Sequence, residues 1–202
     1  MEVLIATQNE AKIKKYSTML NALGIKYKTL RDFDYDIDVE ETGNSSKENA
    51  IIKANAYYKA FKMPLIVDDS ALILDKLSPE KQPGVFVRRA NDGRRMSDEE
   101  MIQIYSKEIE EVGGETTGGF VIATSIVDEN GKIHTNELKH DRLFVSNPCQ
   151  ERNPGYPMNS LIYDKETNTY LAQVYEGKNI YKGNSFGKDF EFIKKVLIDE
   201  KV

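Results

Sequence analysis

The beginning of the chain alternates between strand-like and helix-like segments, and this order constrains the fold more than any other feature of the sequence. Residues 3–6 form a short apolar run that is typical of a buried strand. A helix is expected next, with Asn9 as its N-cap and Gly24 as its C-terminal stop, and residues 25–30 then alternate like a second strand. Strands and helices in this order indicate an α/β protein around a twisted sheet.

Capping and turn residues mark the later elements. Two pairs of residues have capping-box spacing and should each open a helix; the pairs are Ser45 with Glu48 and Ser97 with Glu100. The first helix should run to about residue 62, and Gly113 should end the second. Asn130-Gly131 predicts a hairpin between strands over residues 120–127 and 132–138. Two short strands near Thr169 and a final helix complete a mixed α/β fold, expected to be one domain over residues 1–202.

Residues 33–40 alternate apolar and acidic side chains, which predicts a strand with one buried and one solvated face. A calcium-binding loop is the alternative reading of the repeated aspartates. Such a loop needs glycine at a position that Ile37 occupies here, so the strand is favoured.

The composition disfavours several classes of function. A formal net charge of −5 at pH 7 argues against indiscriminate binding to a nucleic-acid polymer, which requires a basic face. No apolar stretch is long enough to span a bilayer and no secretory signal is visible, so no membrane partner is expected. The single cysteine, Cys149, cannot form an internal disulfide, which favours the reducing environment of the cytoplasm.

Three segments carry residues suited to a phosphorylated ligand. The first runs from Thr7 through Asn9 to Lys12 and joins a strand to a helix, whose N-terminal N–H groups attract anions. Lys12 lies in the first helical turn, where the helix dipole disfavours a cation by about 0.3–1 kcal/mol unless an anion shares the position. A solvated lysine that tolerates this small penalty is the alternative.

The second segment comprises Glu41-Thr42-Gly43 and two residues of the following helix, Asn49 and Lys53. Asn49 and Lys53 lie four residues apart on one side of the helix, at the edge of its apolar face. Side chains at such an edge can enter a cleft, although a lysine that merely extends from the core edge to solvent has the same pattern.

The third segment, Asp68-Asp69-Ser70, follows the apolar run of residues 65–67. Ligands of open α/β sheets gather beyond the carboxyl ends of strands, where adjacent carboxylates can hold Mg²⁺ or orient water. Because consecutive strand residues point to opposite faces, the two aspartates should have different roles. An acidic turn after the strand is the alternative, since Asp and Ser also favour turns.

Together the three segments supply a helix N-terminus, two lysines and at least three carboxylates, which are the groups that hold Mg²⁺ and a polyphosphate. The sequence has neither a Walker A motif nor a dinucleotide-binding glycine fingerprint. His134 and His140 lack the partners of a zinc site, and Cys149 has no adjacent activating group. The sequence therefore predicts a soluble protein with a site that holds Mg²⁺ and a polyphosphate.

At these residues the chain resembles the inosine triphosphate pyrophosphatase family, which removes non-canonical purine nucleotides such as those of inosine and xanthosine. The resemblance spans most of the chain and is strongest over about the first 90 residues. Its motifs are Ala6-Thr7-x-Asn9-x-x-Lys12, Glu41-Thr42-Gly43, Glu48-Asn49-Ala50-x-x-Lys53-Ala54, Asp68-Asp69-Ser70 and Pro83-Gly84-Val85-Phe86 through Arg89.

The resemblance implies a Mg²⁺-dependent hydrolase that converts a nucleoside triphosphate to the monophosphate and pyrophosphate. It implies an elongated α/β fold of two lobes around a twisted sheet, with the active site in the cleft between them, and a homodimer. It also implies roles for the matching residues. Phosphate contacts would come from Thr7, Asn9, Lys12 and Lys53, metal ligands would be Glu41 and Asp69, and Asp69 or Asp68 would activate the attacking water, with Lys53 also part of the catalytic group. Ser70 would lie beside them, Tyr156 would stack on the base, and Asn159 and Lys178 would lie near it.

The chain departs from the family pattern directly after Asp68-Asp69-Ser70 and, more extensively, where the base would be read. Ala71 replaces a glycine, Asn159 replaces an acid, and the family's late Ser-His-Arg has no counterpart near residues 184–186. We therefore expect an altered base preference, unless an arginine of the loop restores a donor; the candidates are Arg88, Arg89, Arg94 and Arg95. A nucleotide-binding or regulatory module without turnover is the alternative function, and it is disfavoured because Glu41, Asp68 and Asp69 are all retained.

Overall fold

The computed structural model describes residues 1–34, 37–89, 93–174 and 187–199. Within these ranges, seven strands form one sheet in the order β2-β1-β3-β4-β5-β6-β7. The strands are β1 (Glu2–Ile5), β2 (Lys26–Thr29), β3 (Leu65–Leu74), β4 (Glu115–Val127), β5 (Ile133–Val145), β6 (Ile162–Asp164) and β7 (Thr169–Tyr170). The helices are α1 (Glu10–Ala22), α2 (Ser46–Phe61), α3 (Asp98–Glu111), α4 (Leu171–Val174) and α5 (Gly187–Leu197). The predicted mixed α/β fold is confirmed.

The chain divides into two compact units. The first contains the described residues of Met1–Asp69, Ile122–Leu138 and Gly183–Val202, and the second contains those of Ser70–Val121 and Lys139–Lys182. Strands β3, β4 and β5 contribute residues to both units. The single domain over residues 1–202 and the cleft between lobes stay predictions. None of the helices in the described ranges is long and apolar enough to cross a bilayer.

In the first unit, β1 is parallel to both of its neighbours in the sheet. It pairs along its whole length with β2, and its residues Leu4 and Ile5 pair with Leu65 and Ile66 of β3. The chain leaves β1 through α1 toward β2, while β3 lies on the other side of β1. The carboxyl end of β1 is therefore a topological switch point, which is where open α/β sheets bind ligands.

The side chains of β3 alternate between the two faces of the sheet. Leu65 and Val67 pack against Ala54 and Tyr57 of α2 in a buried apolar cluster. Asp69 lies two residues beyond Val67 and therefore points toward α2, whereas Asp68 points to the opposite face. The second unit has its own core, formed mainly by Leu72, Leu74, Met101, Tyr105, Ile109, Phe144, Met158 and Leu161.

The capping and hairpin predictions are confirmed. The side chains of the three predicted N-caps accept hydrogen bonds from their helices; they are Asn9 for α1, Ser45 for α2 and Ser97 for α3. Gly24 follows α1 with a φ of 68°, and the Asn130-Gly131 turn joins β4 to β5. Helix α4 was not predicted, because its four residues are too few to show a helical periodicity.

The strand predicted over residues 33–40 is wrong for the part of that segment that the structure describes. A 3-10 turn forms at Leu30–Asp32, and residues 37–40 are not part of any strand. Phe33, Ile37 and Val39 still pack against the apolar cluster under α2, while Asp38 and Glu40 are exposed. In the described part of this segment the alternation thus reports burial of one side, whereas a strand is defined by a regular ladder of backbone hydrogen bonds.

The acidic pair also lies in a different setting from the one expected. Asp68 and Asp69 are not in a turn after a short strand, because β3 continues for five residues beyond Asp69. The strand whose end they pass is the neighbouring β1, which stops at Ile5. Just before the pair, the N–H of Ala6 donates a backbone hydrogen bond to the carbonyl of Ile66 in β3. The two carboxylates are therefore held on rigid strand backbone next to the switch point.

Close approach of neighbouring backbone makes Gly118 of β4 sensitive to substitution. A Cβ at this position would lie 2.2 Å from the carbonyl oxygen of Ile73 in β3, which cannot move without disturbing the sheet. Gly118→Ala should lower the free energy of unfolding by about 3 kcal/mol or more. Gly24→Ala is the control, since open space surrounds Gly24 and only its positive φ is strained, at a cost of roughly 1 kcal/mol. Denaturant unfolding of both variants tests this order, and an equal or smaller effect at Gly118 would contradict it.

Candidate active site

The loop between β1 and α1 is organised by its own side chains. The hydroxyl of Thr7 accepts a hydrogen bond from the N–H of Asn9 at 3.2 Å, and the Asn9 side chain accepts one from the N–H of Ala11 at 2.9 Å. These contacts fix the start of α1 and orient Lys12 in its first turn. The phosphate contacts assigned to Thr7 and Asn9 remain predictions, and their placement at a helix N-terminus suits that role.

Lys12 forms a buried ion pair with Asp68. Its Nζ lies 2.6 Å from Asp68 Oδ1, and the side chain of Asp68 is only 3% exposed. The other carboxylate oxygen accepts a hydrogen bond from the hydroxyl of Tyr16 at 2.8 Å. Burial would raise the pKa of Asp68, but Lys12 and Lys15 outweigh burial and hold this pKa below its usual range. Both oxygens of a stably ionised carboxylate are thus engaged.

Two residues around Asp68 were not foreseen as part of this cluster. Tyr16 was assigned only to the apolar stripe of α1, but its buried hydroxyl also approaches that of Thr124 at 3.3 Å. Burial and the charge of Asp68 raise the pKa of Tyr16, so the hydroxyl keeps its proton and donates it. Lys15 forms an ion pair with Asp189 of α5 at 2.5 Å. The only sequence signal for Tyr16 is its spacing of four residues from Lys12.

Lys53 of α2 bridges two carboxylates on the other face of the sheet. Its Nζ lies 2.6 Å from Asp69 Oδ1 and 2.9 Å from Glu41 Oε1. Burial alone would lower the pKa of Lys53, but Asp69 and Glu41 outweigh burial and raise it, so the side chain is an ammonium ion. The structure therefore brings together the three residues that the sequence assigned to the metal and to catalysis on this face.

Asp69 differs from Asp68 in its affinity for a proton. Burial raises the pKa of Asp69, and the negative charge of Glu41 adds to this effect. Lys53 opposes both but does not cancel them, so the pKa lies above its ordinary value. Of the two adjacent aspartates, Asp69 is therefore the better proton acceptor.

Asn49 connects the loop that carries Glu41 to Asp69. Its side chain is buried, accepts a hydrogen bond from the N–H of Gly43 at 2.8 Å, and directs its amide toward Asp69 Oδ2 at 3.4 Å. A Cβ on Gly43 would lie 2.6 Å from the Asn49 oxygen and 2.7 Å from Cβ of Glu48. Only glycine at residue 43 allows the loop to approach α2 this closely, which explains the Glu-Thr-Gly sequence in physical terms.

These residues have the chemistry of a magnesium site. Glu41 and Asp69 offer hard oxygen ligands, and Mg²⁺ is usually held by one or two carboxylates that substrate phosphates and water supplement. Among the described residues no group of three His, Cys, Asp or Glu side chains converges to form a complete site. The donor set therefore fits a metal that arrives with a polyphosphate better than one held permanently by the protein.

The residues predicted to meet the base belong to the second unit. Tyr156 is half-buried, and Asn159 is buried in the 3-10 turn Pro157–Ser160, where its amide donates to the side-chain oxygen of Asn153 at 2.9 Å. Ser70 is a half-buried residue of β3 in the same unit. Lys178 and residues 184–186 lie outside the described residues. The base contacts of Tyr156, Asn159 and Lys178 stay predictions, as does the place of Ser70 beside the catalytic carboxylates.

Of the arginines considered as replacement donors, two are held by helix α3. Arg88 contacts Asp98 at 2.7 Å and donates to the carbonyl of Gly155 at 2.8 Å, while Asp98 also accepts from the N–H of Gly155 at 2.8 Å. The backbone carbonyl and N–H of Gly155, the residue before Tyr156, are therefore both held in place. Arg94 pairs with Glu100 at 2.9 Å. Arg89 and Arg95 are exposed and lie opposite each other in an antiparallel bridge.

Comparison with known proteins agrees with the resemblance seen in the motifs. A model of the Ham1 family matches residues 3–180. The chain is 31% identical over 202 residues to the dITP/XTP pyrophosphatase of Bacillus licheniformis, with 98% of each chain covered. It is also similar to the Ham1 protein of Staphylococcus aureus, with a TM-score of 0.70, 23% identity and coverage of 99% and 93%. The HAM1 protein of Coxiella burnetii is also similar, with a TM-score of 0.68, 28% identity and coverage of 86% of each chain. The chain therefore belongs to the Ham1 family.

Proposed function

We propose that the protein hydrolyses a nucleoside triphosphate of the non-canonical purine type to the monophosphate and pyrophosphate, with Mg²⁺ as cofactor. The relatives named dITP/XTP pyrophosphatases support the reaction class and the kind of substrate. The observation that carries the proposal is the pair of lysine–carboxylate clusters on adjacent residues of β3, Lys12 with Asp68 and Lys53 with Asp69 and Glu41. They provide cations for phosphates, carboxylates for a metal, and one carboxylate suited to accept a proton.

The two aspartates take different parts in the proposed mechanism. Asp69 accepts a proton from the attacking water, because both oxygens of Asp68 are engaged at 2.6 and 2.8 Å, whereas Asp69 Oδ2 has a longer contact of 3.4 Å with the amide of Asn49. The water oxygen bonds to phosphorus, the anhydride bond between the α- and β-phosphates breaks, and pyrophosphate and the monophosphate separate. Asp68 orients Lys12, since both of its oxygens are already engaged. Mg²⁺ at Glu41 and Asp69 would neutralise phosphate charge.

Lys12 and Lys53 would contact the phosphates from the two faces of β3. Each ammonium is partly buried, so its attraction for a phosphate is weakened less by water than that of a surface lysine. Thr7 and Asn9 would add contacts at the start of α1, where the helix dipole favours an anion.

The assignment of a homodimer and of the cytoplasm rests on the family resemblance and on the single cysteine, and both belong to this proposal.

The proposed base preference is broader than that of an enzyme with a complete set of base-reading donors. Tyr156 can stack on any base, and stacking discriminates little. The amide of Asn159 is directed to Asn153, and Arg88 and Arg94 are paired with carboxylates of α3. Arg89 and Arg95 are the remaining loop arginines that could supply a donor to a purine carbonyl.

The first test is the identity of the products. Purified protein with ITP and Mg²⁺ should release the monophosphate and pyrophosphate in equal amounts, which ion-exchange chromatography and a pyrophosphate-specific assay can measure. EDTA should abolish the release, and Mg²⁺ added in excess should restore it. Diphosphate and orthophosphate as products, or a rate that EDTA leaves unchanged, would contradict the mechanism.

The second test separates the two aspartates. Asp69→Asn should lower kcat by on the order of 10² or more, because it removes the proton acceptor. The fold should stay intact, because Lys53 keeps Glu41 as a charged partner. Asp68→Asn is the matched comparison, and it should lower the free energy of unfolding by about 3–5 kcal/mol, because it leaves Lys12 without its buried partner. Full activity of Asp69→Asn would move the role of base to Asp68 or Glu41.

The third test concerns the base. Values of kcat/KM for ITP and XTP should exceed those for GTP, ATP and the pyrimidine triphosphates by less than about 10², since no complete set of base-reading donors is predicted. A preference for ITP and XTP over ATP and GTP by roughly 10² or more requires placed polar groups and would overturn the idea. In that event Arg89→Ala and Arg95→Ala would show whether an exposed arginine of the loop reads the base.

A further inference from the structure

Lys53 occupies the position between two carboxylates that suit a divalent cation. Its Nζ contacts one oxygen of Asp69 and one of Glu41, and its side chain is 15% exposed. One ammonium contacts both carboxylates, and two negative charges held this close together repel each other unless a cation lies between them. The lysine supplies that cation from within the protein.

A metal ion and the ammonium cannot both stay at these oxygens. Mg²⁺ binds oxygen at about 2.0–2.1 Å, and an ammonium bonded to the same two oxygens would lie within roughly 4 Å of it, where like charges repel strongly. One cation must therefore leave when the other binds. Lys53 is the cation that can move, because its chain has several rotatable bonds and a neighbouring phosphate would offer it a new partner.

The carboxylates have a support that does not depend on Lys53. Asn49 accepts from the N–H of Gly43, two residues after Glu41, and directs its amide to the second oxygen of Asp69. Gly43 has no space for a side chain, so the loop is fixed against α2. The site geometry is therefore expected to survive the departure of the ammonium.

We propose that Lys53 is an exchangeable internal cation, which a divalent metal displaces from Glu41 and Asp69 and which then binds the polyphosphate. This inference rests on the proposed function, because it needs both a metal and a phosphorylated substrate. Metal alone must compete with the ammonium, whereas metal with nucleotide gives the displaced ammonium a phosphate partner. Each ligand therefore strengthens binding of the other, and by linkage the two effects are equal.

The test is the affinity for metal in the absence of nucleotide, with Mn²⁺ as the probe and free Mn²⁺ measured by electron paramagnetic resonance. Lys53→Met removes the competing charge and keeps the length of the side chain, so it should bind Mn²⁺ about tenfold or more tightly than the wild type. The same variant should bind an ITP analogue with a methylene group between the α- and β-phosphates more weakly, and Mn²⁺ should enhance that binding less than in the wild type.

Lys12→Met is the matched control, because it removes the same charge at a lysine paired with Asp68 instead of Glu41 and Asp69. Its affinity for Mn²⁺ alone should change by less than about threefold. If Lys53→Met does not fold, Lys53→Gln replaces it, and the expected direction is the same. Unchanged or weaker Mn²⁺ binding by the folded variant would overturn the exchange. Such a result would leave pyrophosphate release by the wild type intact, so failure of this inference is distinguishable from failure of the proposed function.

Discussion

Two adjacent carboxylates inside a buried strand are the constraint on which the first unit depends. Asp68 and Asp69 are 5% and 6% exposed, and an ionised carboxylate at such depth is unstable without a cation and hydrogen bonds. Because neighbouring strand residues face opposite sides, one lysine cannot serve both. Lys12 approaches from α1 and Lys53 from α2, which requires helices on both faces of the sheet. The order β2-β1-β3 provides this, because the connections through α1 and α2 run in opposite directions along the sheet. Crossovers of the usual right hand that run in opposite directions place their helices on opposite faces.

The sequence predicted the local features of the fold because each depends on a few neighbouring residues. The caps of α1, α2 and α3 and the Asn130-Gly131 turn are of this kind. Features that depend on distant partners were not predictable. The extended segment after residue 36 looked like a strand because its alternation records burial but not hydrogen bonding. The acidic pair was expected at the carboxyl end of a short strand, because nothing local shows that β3 continues past it.

The composition of the site was also easier to predict than its connections. The motifs identified Lys12, Lys53, Glu41 and the two aspartates, but which lysine meets which aspartate depends on the face that each helix covers. Tyr16 contacts Asp68, which is 52 residues away in the sequence, and Asp189 contacts Lys15, which is 174 residues away. The sequence alone does not distinguish the four arginines in the loop of the second unit. Only the structure separates Arg88 and Arg94, which pair with carboxylates of α3, from the exposed Arg89 and Arg95.

The division of the chain into two units has a consequence for the evolution of the protein. The contacts described for Asp68 and Asp69 all come from residues of the first unit, whereas Tyr156, Asn159 and the Arg88–Asp98 support of Gly155 belong to the second. Substitutions in the second unit therefore need not disturb the charge balance around the aspartates. Under the proposed assignment of roles, a lineage could change its substrate range while the two lysine–carboxylate clusters stay the same.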